Sequence, residues 1–248
     1  MTGPVWAADA DAIAHVIVDG ALADELVIDG TDGHHLQRVR RLGPDEIVTG
    51  ADGAGTWREY RVAEASRGAL TLAATGGLHV EPTLTPPLGV AFALTKGHKP
   101  DVVVARLTEL GVDRLVPVIA RRSVARWDGE RGDKARERLQ RIVREAAMQS
   151  RRSRLPIVAA AAPLASLAST PGLVLADRDG PPASALDAGS QGWLVVVGPE
   201  GGLGDEEIHE LGDPPRLGVG PHVLRAETAA IAVAAVLTGL RGPGGHGA

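Results

Sequence analysis

The chain of 248 residues contains no cysteine. This absence excludes a disulfide framework, a thiolate nucleophile, an iron–sulfur cluster and any zinc site built on cysteine. The eight histidines form neither an H-E-x-x-H motif nor a paired spacing with carboxylates, so we expect no metal site.

Aromatic residues and long apolar runs are also scarce. The chain has four tryptophans, one tyrosine and one phenylalanine, which argues against extensive stacking on nucleic-acid bases. The longest apolar run, residues 229–237, is far shorter than a membrane span. Residues 1–4 lack the basic segment and apolar core that begin a secretory signal. We therefore expect a cytoplasmic protein with no membrane association.

The charge of the chain is unevenly distributed. The net charge is −5, yet residues 121–154 hold twelve Lys or Arg against five Asp or Glu. A basic segment in an otherwise acidic protein can attract an anionic partner such as nucleic acid. The same segment also fits a solvated, arginine-rich helix face, and composition alone leaves both interpretations open.

The first third of the sequence predicts a small β-barrel or sandwich. Its β-prone segments are 14–18, 25–28, 46–49, 56–62 and 69–72, with a short helix at 32–41. Residues 52–55 (DGAG) predict a hairpin turn. A glycine pair and three prolines then mark a linker. We therefore place the first domain at 1–76 and the linker at 77–87.

From residue 88 onward, near-continuous apolar runs alternate with helical patterns. The runs are 88–94, 115–119, 173–176, 193–197 and 216–219, and the helical patterns are 101–110, 133–149, 205–211 and 227–240. Such runs are typical of a parallel sheet covered on both faces. They predict an α/β domain over 88–241, followed by a disordered tail at 242–248. The last helix is apolar around most of its circumference, so we expect it to be largely buried.

Two glycine-rich segments near the end of the chain carry the clearest functional signal. They are residues 198–202 (GPEGG) and 217–229 (LGVGPHVLRAETA), and each lies between an apolar run and a helical pattern. Strand-to-helix turns of this kind present backbone N–H groups and a helix N-terminus to a ligand. Neither matches the dinucleotide fingerprint or the phosphate loop. A tight structural turn explains either one alone, but the pair favours a ligand site.

These two segments resemble the RsmE family of methyltransferases, which modify N3 of a uridine in 16S ribosomal RNA. Three further segments match the family pattern: 34–41 (HHLQRVRR), 108–112 (TELGV) and 149–156 (QSRRSRLP). The matches occur in order between about residues 14 and 240. The chain differs at Gly204, where a capping Ser or Thr is usual.

The resemblance implies an α/β fold with an N-terminal PUA-like β-barrel and a C-terminal SPOUT domain. The SPOUT domain would have a mostly parallel sheet, a deep trefoil knot and S-adenosylmethionine (SAM) bound in the knotted loops. The resemblance also implies a homodimer. The cofactor-binding residues it predicts are Leu175, Ala176, Gly198, Pro199, Glu200, Gly201, Gly202, Leu217, Gly218, Val223, Leu224, Thr228 and Ala229.

Methylation of uracil N3 requires loss of the imide proton and stabilisation of negative charge on the flanking carbonyl oxygens. Arg225 suits the second task because a guanidinium stays charged and presents a planar set of donors. Glu200 and Glu227 are the possible proton acceptors, but a glutamate pKa near ~4.3 would have to be raised for that role. The general base therefore stays unassigned.

The RNA would be held largely by charge. The predicted phosphate contacts are Arg38, Arg40, Arg41, Arg121, Arg122, Arg151, Arg152 and Arg154. The leading hypothesis is a SAM-dependent enzyme that methylates N3 of a uridine in 16S rRNA, with the rRNA or the small ribosomal subunit as partner. The alternatives are another SPOUT-type RNA methyltransferase, acting on ribose 2′-O or another base, and a noncatalytic RNA-binding or ribosome-assembly protein. The absence of cysteine excludes C5 methylation through a thiolate adduct.

Overall fold

The computed structural model describes residues 5–38, 42–66, 68–95, 97–123, 127–187, 189 and 191–243. They form two compact units, one comprising residues up to 83 together with 144–155 and the other comprising 84–143 and 156–243. Within the described part of the chain, every helix is too short or too polar to cross a membrane.

The first unit is built on a six-stranded sheet. Its strands are β1 (Ala14–Ile17), β2 (Glu25–Ile28), β3 (Ile47–Ala51), β4 (Thr56–Ser66), β5 (Ala69–Ala74) and β6 (His79–Val80), with helix α1 at Gly30–Arg38. The pairing order is β1-β3-β4-β5-β2, and β6 pairs with β4. The β1–β3 pair is parallel and the other pairs are antiparallel. The predicted strands are thus confirmed, although β4 is longer than predicted.

The hairpin between β3 and β4 forms where the sequence predicts it. The Oδ1 atom of Asp52 accepts the backbone N–H groups of Ala54 at 2.7 Å and Thr56 at 3.0 Å. Gly53 and Gly55 have φ angles of 73° and 108°, a region that glycine adopts without strain. This turn fixes the register that pairs Ala51 with Trp57. Buried side chains from the paired strands, including Tyr60, Leu70 and Leu72, then form the core of the unit.

The second unit contains a parallel seven-stranded sheet. Its strands are β8 (Leu88–Ala93), β9 (Arg114–Ile119), β10 (Ile157–Val158), β11 (Ala162–Pro163), β12 (Leu173–Ala176), β13 (Trp193–Val197) and β14 (Arg216–Leu217). They pair in the order β10-β9-β8-β13-β12-β14, and β11 pairs with β9. Every residue of β8 and β13 is buried, as the continuous apolar runs predict for strands covered on both faces. A separate antiparallel ribbon joins β7 (Leu84–Thr85) to β15 (Gly242–Pro243).

Four further α-helices lie in the described part of the chain. They are α2 (Lys99–Glu109), α3 (Gly129–Ser150), α4 (Asp205–Glu210) and α5 (Ala226–Thr238). All four were predicted, and their ends lie at most four residues from the predicted ones. Helix α2 is followed by Gly111, whose φ of 81° ends the helical path, as the sequence suggests. Helix α5 packs against α2, β8 and β13 through a stripe that includes Val233 and Leu237, whereas Val236 is 41% exposed. The expectation that α5 is buried therefore holds for one face only.

The prediction of a disordered tail is wrong at its beginning. Arg241 is buried, and its guanidinium donates hydrogen bonds to the carbonyl oxygens of Pro86 at 2.7 Å and Gly111 at 2.9 Å. It also lies 2.5 Å from the carboxylate of Asp113. These contacts lead directly into the β7–β15 ribbon, so the chain is ordered through Pro243. Residues 244–248 lie outside the described residues.

Candidate functional site

A cavity of about 330 Å³ lies at the carboxyl ends of β12, β13 and β14. This is the edge of a parallel sheet at which α/β proteins bind ligands. The volume is within the range of small-molecule sites, roughly 300–1,000 Å³. Its lining residues are Leu175, Ala176, Asp177, Arg178, Val197, Gly198, Pro199, Glu200, Gly202, Leu203, Ile208, Leu217, Val219, Gly220, His222, Val223, Leu224, Ala226, Ala229 and Val233.

The first turn, residues 198–204, forms one wall of the cavity. The N–H of Gly202 donates to the carbonyl of Pro199 at 2.8 Å, and the φ of 69° at Gly202 favours glycine there. Gly204 is the N-cap of α4, so the glycine that replaces the usual Ser or Thr does occupy the capping position. Its N–H donates to Oε2 of Glu207 at 3.0 Å. The other carboxylate oxygen of Glu207 accepts the backbone N–H of Arg121 at 2.7 Å.

Two cations also hold the first turn. The guanidinium of Arg122 donates to the carbonyl oxygen of Gly201 at 2.6 Å. The ammonium of Lys99 lies 2.5 Å from a carboxylate oxygen of Glu200. This hydrogen bond from Lys99 lowers the pKa of Glu200 below its ordinary value. Glu200 is therefore held in its charged form at neutral pH, which is the opposite of the raised pKa that a base would need.

The second turn, residues 218–225, begins beneath the loop that follows β12. The N–H of Gly218 donates to the carbonyl of Pro181 at 2.8 Å, and the N–H of Asp177 donates to the carbonyl of Leu217 at 2.9 Å. A Cβ atom at Gly218 would lie 2.4 Å from the carbonyl oxygen of Gly180. Glycine is therefore required where these two backbone segments cross.

Beyond this crossing the second turn exposes apolar side chains. Val223 is 80% exposed and Leu224 is 37% exposed, and both line the cavity. Arg225 follows as the N-cap of α5, and its carbonyl accepts the N–H of Ala229 at 2.8 Å. The Arg225 side chain is exposed, between two cavity-lining residues, Leu224 and Ala226.

The structure brings most of the predicted cofactor residues together. Those lining the cavity are Leu175, Ala176, Gly198, Pro199, Glu200, Gly202, Leu217, Val223, Leu224 and Ala229. The remaining three lie beside it: the Gly201 carbonyl binds Arg122, Gly218 lies in the backbone crossing, and Thr228 is exposed on α5.

Sequence reasoning missed several lining residues. Asp177 and Arg178 directly follow the predicted pair at the end of β12, so extending that segment by two residues would have included them. Asp177 also lies 2.5 Å from Arg216, which joins the loop after β12 to β14. Nothing in the sequence assigned three other lining residues to the cavity, because apolar residues in such patterns are usually part of the core. These residues are Leu203, Ile208 and Val233.

The arginines predicted to contact RNA have varied surroundings. Arg40 and Arg41 lie outside the described residues, and Arg38 ends α1. In the second unit, Arg121 forms ion pairs with Glu206 and Glu210 of α4, while Arg122 holds the first turn. Through these contacts Arg121 is tied to α4 and Arg122 to the first turn, although neither lines the cavity itself.

In the first unit, the arginines of residues 151–154 hold parts of that unit together. The Arg151 guanidinium donates to the backbone carbonyls of Ala10 and Ala12. The Arg154 guanidinium lies against Gly55, where a Cβ would be 2.1 Å from it. Arg152 donates its backbone N–H to Ala147 at 2.9 Å. The basic segment identified in the sequence therefore supplies structural contacts in addition to exposed charge.

Comparisons with known proteins agree with this geometry. The RNA methyltransferase domain family matches residues 83–238, and the RNA methyltransferase PUA domain family matches residues 28–74. Ribosomal RNA small subunit methyltransferase E of Mycobacterium tuberculosis is 37% identical over 238 residues, covering 88% of this chain and 86% of that protein. The protein of the same name from Bacillus subtilis is 29% identical over 218 residues, covering 82% and 85%.

Solved structures show the same fold. Ribosomal RNA small subunit methyltransferase E from Neisseria gonorrhoeae, bound to SAM, superimposes with a TM-score of 0.75 at 26% identity, covering 92% of this chain and 97% of that one. A Legionella pneumophila protein reaches a TM-score of 0.83 at 24% identity, covering 93% and 98%. The family matches, the identity and the shared fold together place the chain in the ribosomal RNA small subunit methyltransferase E family.

Proposed function

We propose that this protein transfers the methyl group of SAM to N3 of a uridine in the RNA of the small ribosomal subunit. The observation that carries the proposal is the cavity at the ends of β12, β13 and β14, where the predicted cofactor residues converge. Membership of the ribosomal RNA small subunit methyltransferase E family supports the substrate class. With ribosomal RNA as substrate, we place the reaction in the cytoplasm.

The cavity has the mixed chemistry that SAM requires. Apolar side chains of Leu175, Leu217 and Val223 would cover the adenine ring, while the first turn offers backbone polar groups. Asp177 adds a carboxylate to the lining. When bound, SAM supplies a methyl group attached to a positively charged sulfur.

Arg225 would stabilise the charge that develops on the uracil. The N3–H bond breaks, its proton passes to solvent, the N3 electron pair forms the new N–C bond, and the electrons of the S–C bond remain on sulfur. A guanidinium near the uracil carbonyl oxygens favours the anionic form of the ring. We assign no general base, because Lys99 lowers the pKa of Glu200 and an oxygen of Glu227 is buried beside the same ammonium.

We also propose that the second unit contains a deep trefoil knot. Strand β13 lies between β8 and β12 although it follows both in sequence, and the chain leaving β14 is hydrogen-bonded to the loop formed by residues 177–182. True knots are very rare, so the family resemblance is needed beside these contacts. Single-molecule unfolding would test the knot, because a knotted chain extends less than its contour length allows.

The other proposed roles follow the predicted division of the chain into domain 1–76, linker 77–87 and domain 88–241. We propose that 1–76 is a PUA-like barrel that binds RNA, joined by the linker 77–87 to the methyltransferase domain 88–241. The predicted arginines, including Arg38 and Arg152, would contact phosphates. Val236 on α5 and Leu240, just beyond the end of α5, are both exposed and apolar. They support a homodimer through this surface, which sedimentation analysis would test.

Arg225→Met tests the catalytic proposal. The wild-type protein should methylate purified small ribosomal subunits, and mass spectrometry of the digested RNA should identify N3-methyluridine. The variant should lose about 100- to 1,000-fold in kcat with little change in SAM affinity, since it removes a charge-stabilising donor and not the cavity. Arg106→Met is a matched control, because Arg106 is exposed on α2 and pairs with Glu109, three residues further along the same helix, at 2.6 Å.

The same assay separates the alternatives. A 2′-O-methylated nucleoside or another methylated base would replace the N3 assignment with a different RNA methyltransferase. SAM binding without methyl transfer to RNA or subunits would support a noncatalytic RNA-binding protein. An unchanged kcat in Arg225→Met would remove Arg225 from the mechanism.

A further inference from the structure

Lys99, the first residue of α2, lies between carboxylates from the two sides of the cavity. Its ammonium is 2.5 Å from Oε1 of Glu200 and 3.5 Å from Oε2 of Glu227. Glu200 belongs to the first turn, and Glu227 is in the first helical turn of α5, directly after the second turn. One cation on a third element thus contacts an anion from each side.

The two carboxylates depend on this cation in different ways. Glu200 is about half exposed and already receives the short hydrogen bond from Lys99. Oε2 of Glu227 is buried and accepts no hydrogen bond from the residues that the structure describes, so the nearby ammonium supplies its charge compensation. A buried charge without compensation is costly, and a movement of Glu227 toward water would relieve it.

The other charges on this part of α2 are already engaged. Asp101 lies 3.0 Å from the guanidinium of Arg138 and 3.1 Å from Nδ1 of His98. Lys99 is therefore the group on this helix turn that faces the two glutamates.

Any displacement of the glutamates would reach the cavity wall. Glu200 itself lines the cavity, and Ala226, the neighbour of Glu227, lines it from the other side. Ala226, Val197 and Glu227 also line a second, smaller cavity together. The distance between the first turn and the start of α5 therefore depends on the positions of the Glu200 and Glu227 carboxylates.

We infer that Lys99 is a positioning residue, which holds the first turn and the start of α5 at the separation that SAM requires. The inference rests on the proposed function, since it takes SAM as the ligand of the cavity. Lys99 acts through the two glutamates and takes no part in the chemical step.

The test is a set of variants titrated with SAM by calorimetry, with circular dichroism to verify folding. Lys99→Met should weaken SAM binding by about fivefold, because it leaves two like charges facing each other. Lys99→Arg should bind within about twofold of the wild type, since a guanidinium can contact both carboxylates. Adding Glu200→Gln and Glu227→Gln to Lys99→Met should recover most of the affinity. Lys134→Met is the control, because Lys134 is exposed on α3 and pairs with Glu130, four residues earlier on the same helix, at 2.6 Å.

The pH dependence of SAM affinity provides a second test, because a purely structural role of Lys99 would leave that dependence unchanged. In the wild type the pKa of Glu200 is lowered and the pKa of Lys99 is raised, so both stay charged between about pH 5.5 and pH 7.5. Without Lys99, the hydrogen bond that lowers the pKa of Glu200 is lost, so Glu200 should take up a proton at a higher pH than it does in the wild type. SAM affinity of Lys99→Met should therefore improve relative to the wild type at about pH 5.5. Comparison of the variant with the wild type at equal pH corrects for any effect of pH on SAM itself.

Two results would overturn the inference. One is a folded Lys99→Met protein that binds SAM as tightly as the wild type. The other is weakened binding that neither the glutamine substitutions nor lower pH restores, which would indicate a direct contact between Lys99 and SAM. Failure of the wild type to bind SAM in the same titration is a separate result, which overturns the proposed function and the inference with it.

Discussion

The two glycine-rich turns form opposite sides of one cavity but are held in different ways. Residues 198–204 are bound by side chains from three other elements: Glu207 caps α4, Arg122 binds the Gly201 carbonyl, and Lys99 binds Glu200. Residues 218–225 are fixed at Gly218 by backbone contacts, and their apolar side chains then face outward. One wall is thus complete without a ligand, while the other presents a surface that a ligand would cover.

This difference predicts where flexibility lies. Segments with few buried apolar contacts and exposed side chains open at low free-energy cost, whereas those with buried polar networks do not. We expect residues 219–224 to exchange their amide hydrogens faster than residues 198–204. SAM would order the second turn upon binding and leave the first nearly unchanged.

The largest effect should come from Gly218→Ala, which disrupts the single fixed point of the second turn. The added Cβ would lie 2.4 Å from the carbonyl oxygen of Gly180, and this oxygen belongs to backbone that cannot rotate away. Overpacking costs about 1–3 kcal/mol, and strain on the hydrogen bond to Pro181 adds to that cost. Together they should lower the free energy of unfolding of the second unit by about 3 kcal/mol. Urea denaturation measures that loss, and SAM affinity should fall by at least about tenfold.

The control for this variant is Gly77→Ala. A Cβ at Gly77 would meet nothing within 4 Å, so the change alters composition without a clash. It should leave both the unfolding midpoint and SAM affinity unchanged. Normal stability of Gly218→Ala would show that the two backbone segments separate readily, and the second turn would then have no fixed point.

A smaller effect is expected at the first turn from Glu207→Ala. Glu207 is 4% exposed and accepts the N–H groups of Gly204 and Arg121, so its loss leaves two donors without their partner. The expected destabilisation is about 2 kcal/mol, and Glu207→Gln should recover about half because one amide oxygen can still accept. Urea denaturation of the two variants would measure this order. A stability equal to wild type for Glu207→Ala would mean that water replaces the carboxylate and that the first wall is less firmly built.

Much of this contrast could be predicted from the sequence, because glycine patterns and apolar runs act locally. The runs at 173–176 and 193–197 became β12 and β13 with the predicted bounds, since a strand buried on both faces needs unbroken apolar sequence. The clustering of the predicted cofactor residues followed, because the carboxyl ends of parallel strands meet at one edge. The two-residue strands β6, β7, β10, β11 and β15 were missed because so short a segment has no detectable periodicity.

The roles of charged residues were harder to predict. Arg151 belongs to a basic run, yet its guanidinium binds the carbonyls of Ala10 and Ala12, residues about 140 positions away in sequence. Charge reversal at Arg151 would therefore disturb the first unit as well as any RNA contact. No sequence motif indicated the role of Lys99 either, since its two partners lie about 100 residues or more further along the chain. Long-range pairing of this kind is set by the fold and is invisible to local patterns.

The smallest effect, and the one that most directly separates the two turns, is expected from Val223→Ala. Val223 is 80% exposed, so the substitution should change the free energy of unfolding by less than about 0.5 kcal/mol. If SAM covers this side chain, loss of two methyl groups should weaken binding by about fivefold, or about 1 kcal/mol. Calorimetric titration beside urea denaturation would show affinity falling while stability stays constant.

Val27→Ala makes the same chemical change on the first unit, where Val27 is 60% exposed on β2, and should alter neither quantity. SAM titrations at two protein concentrations also show whether Val223 is covered by SAM or by a second subunit. A deficit that is independent of protein concentration assigns the contact to SAM, because its binding depends on free ligand alone. A deficit that disappears at high protein concentration assigns it to the dimer, and the second wall would then be completed by another copy of the chain before SAM arrives.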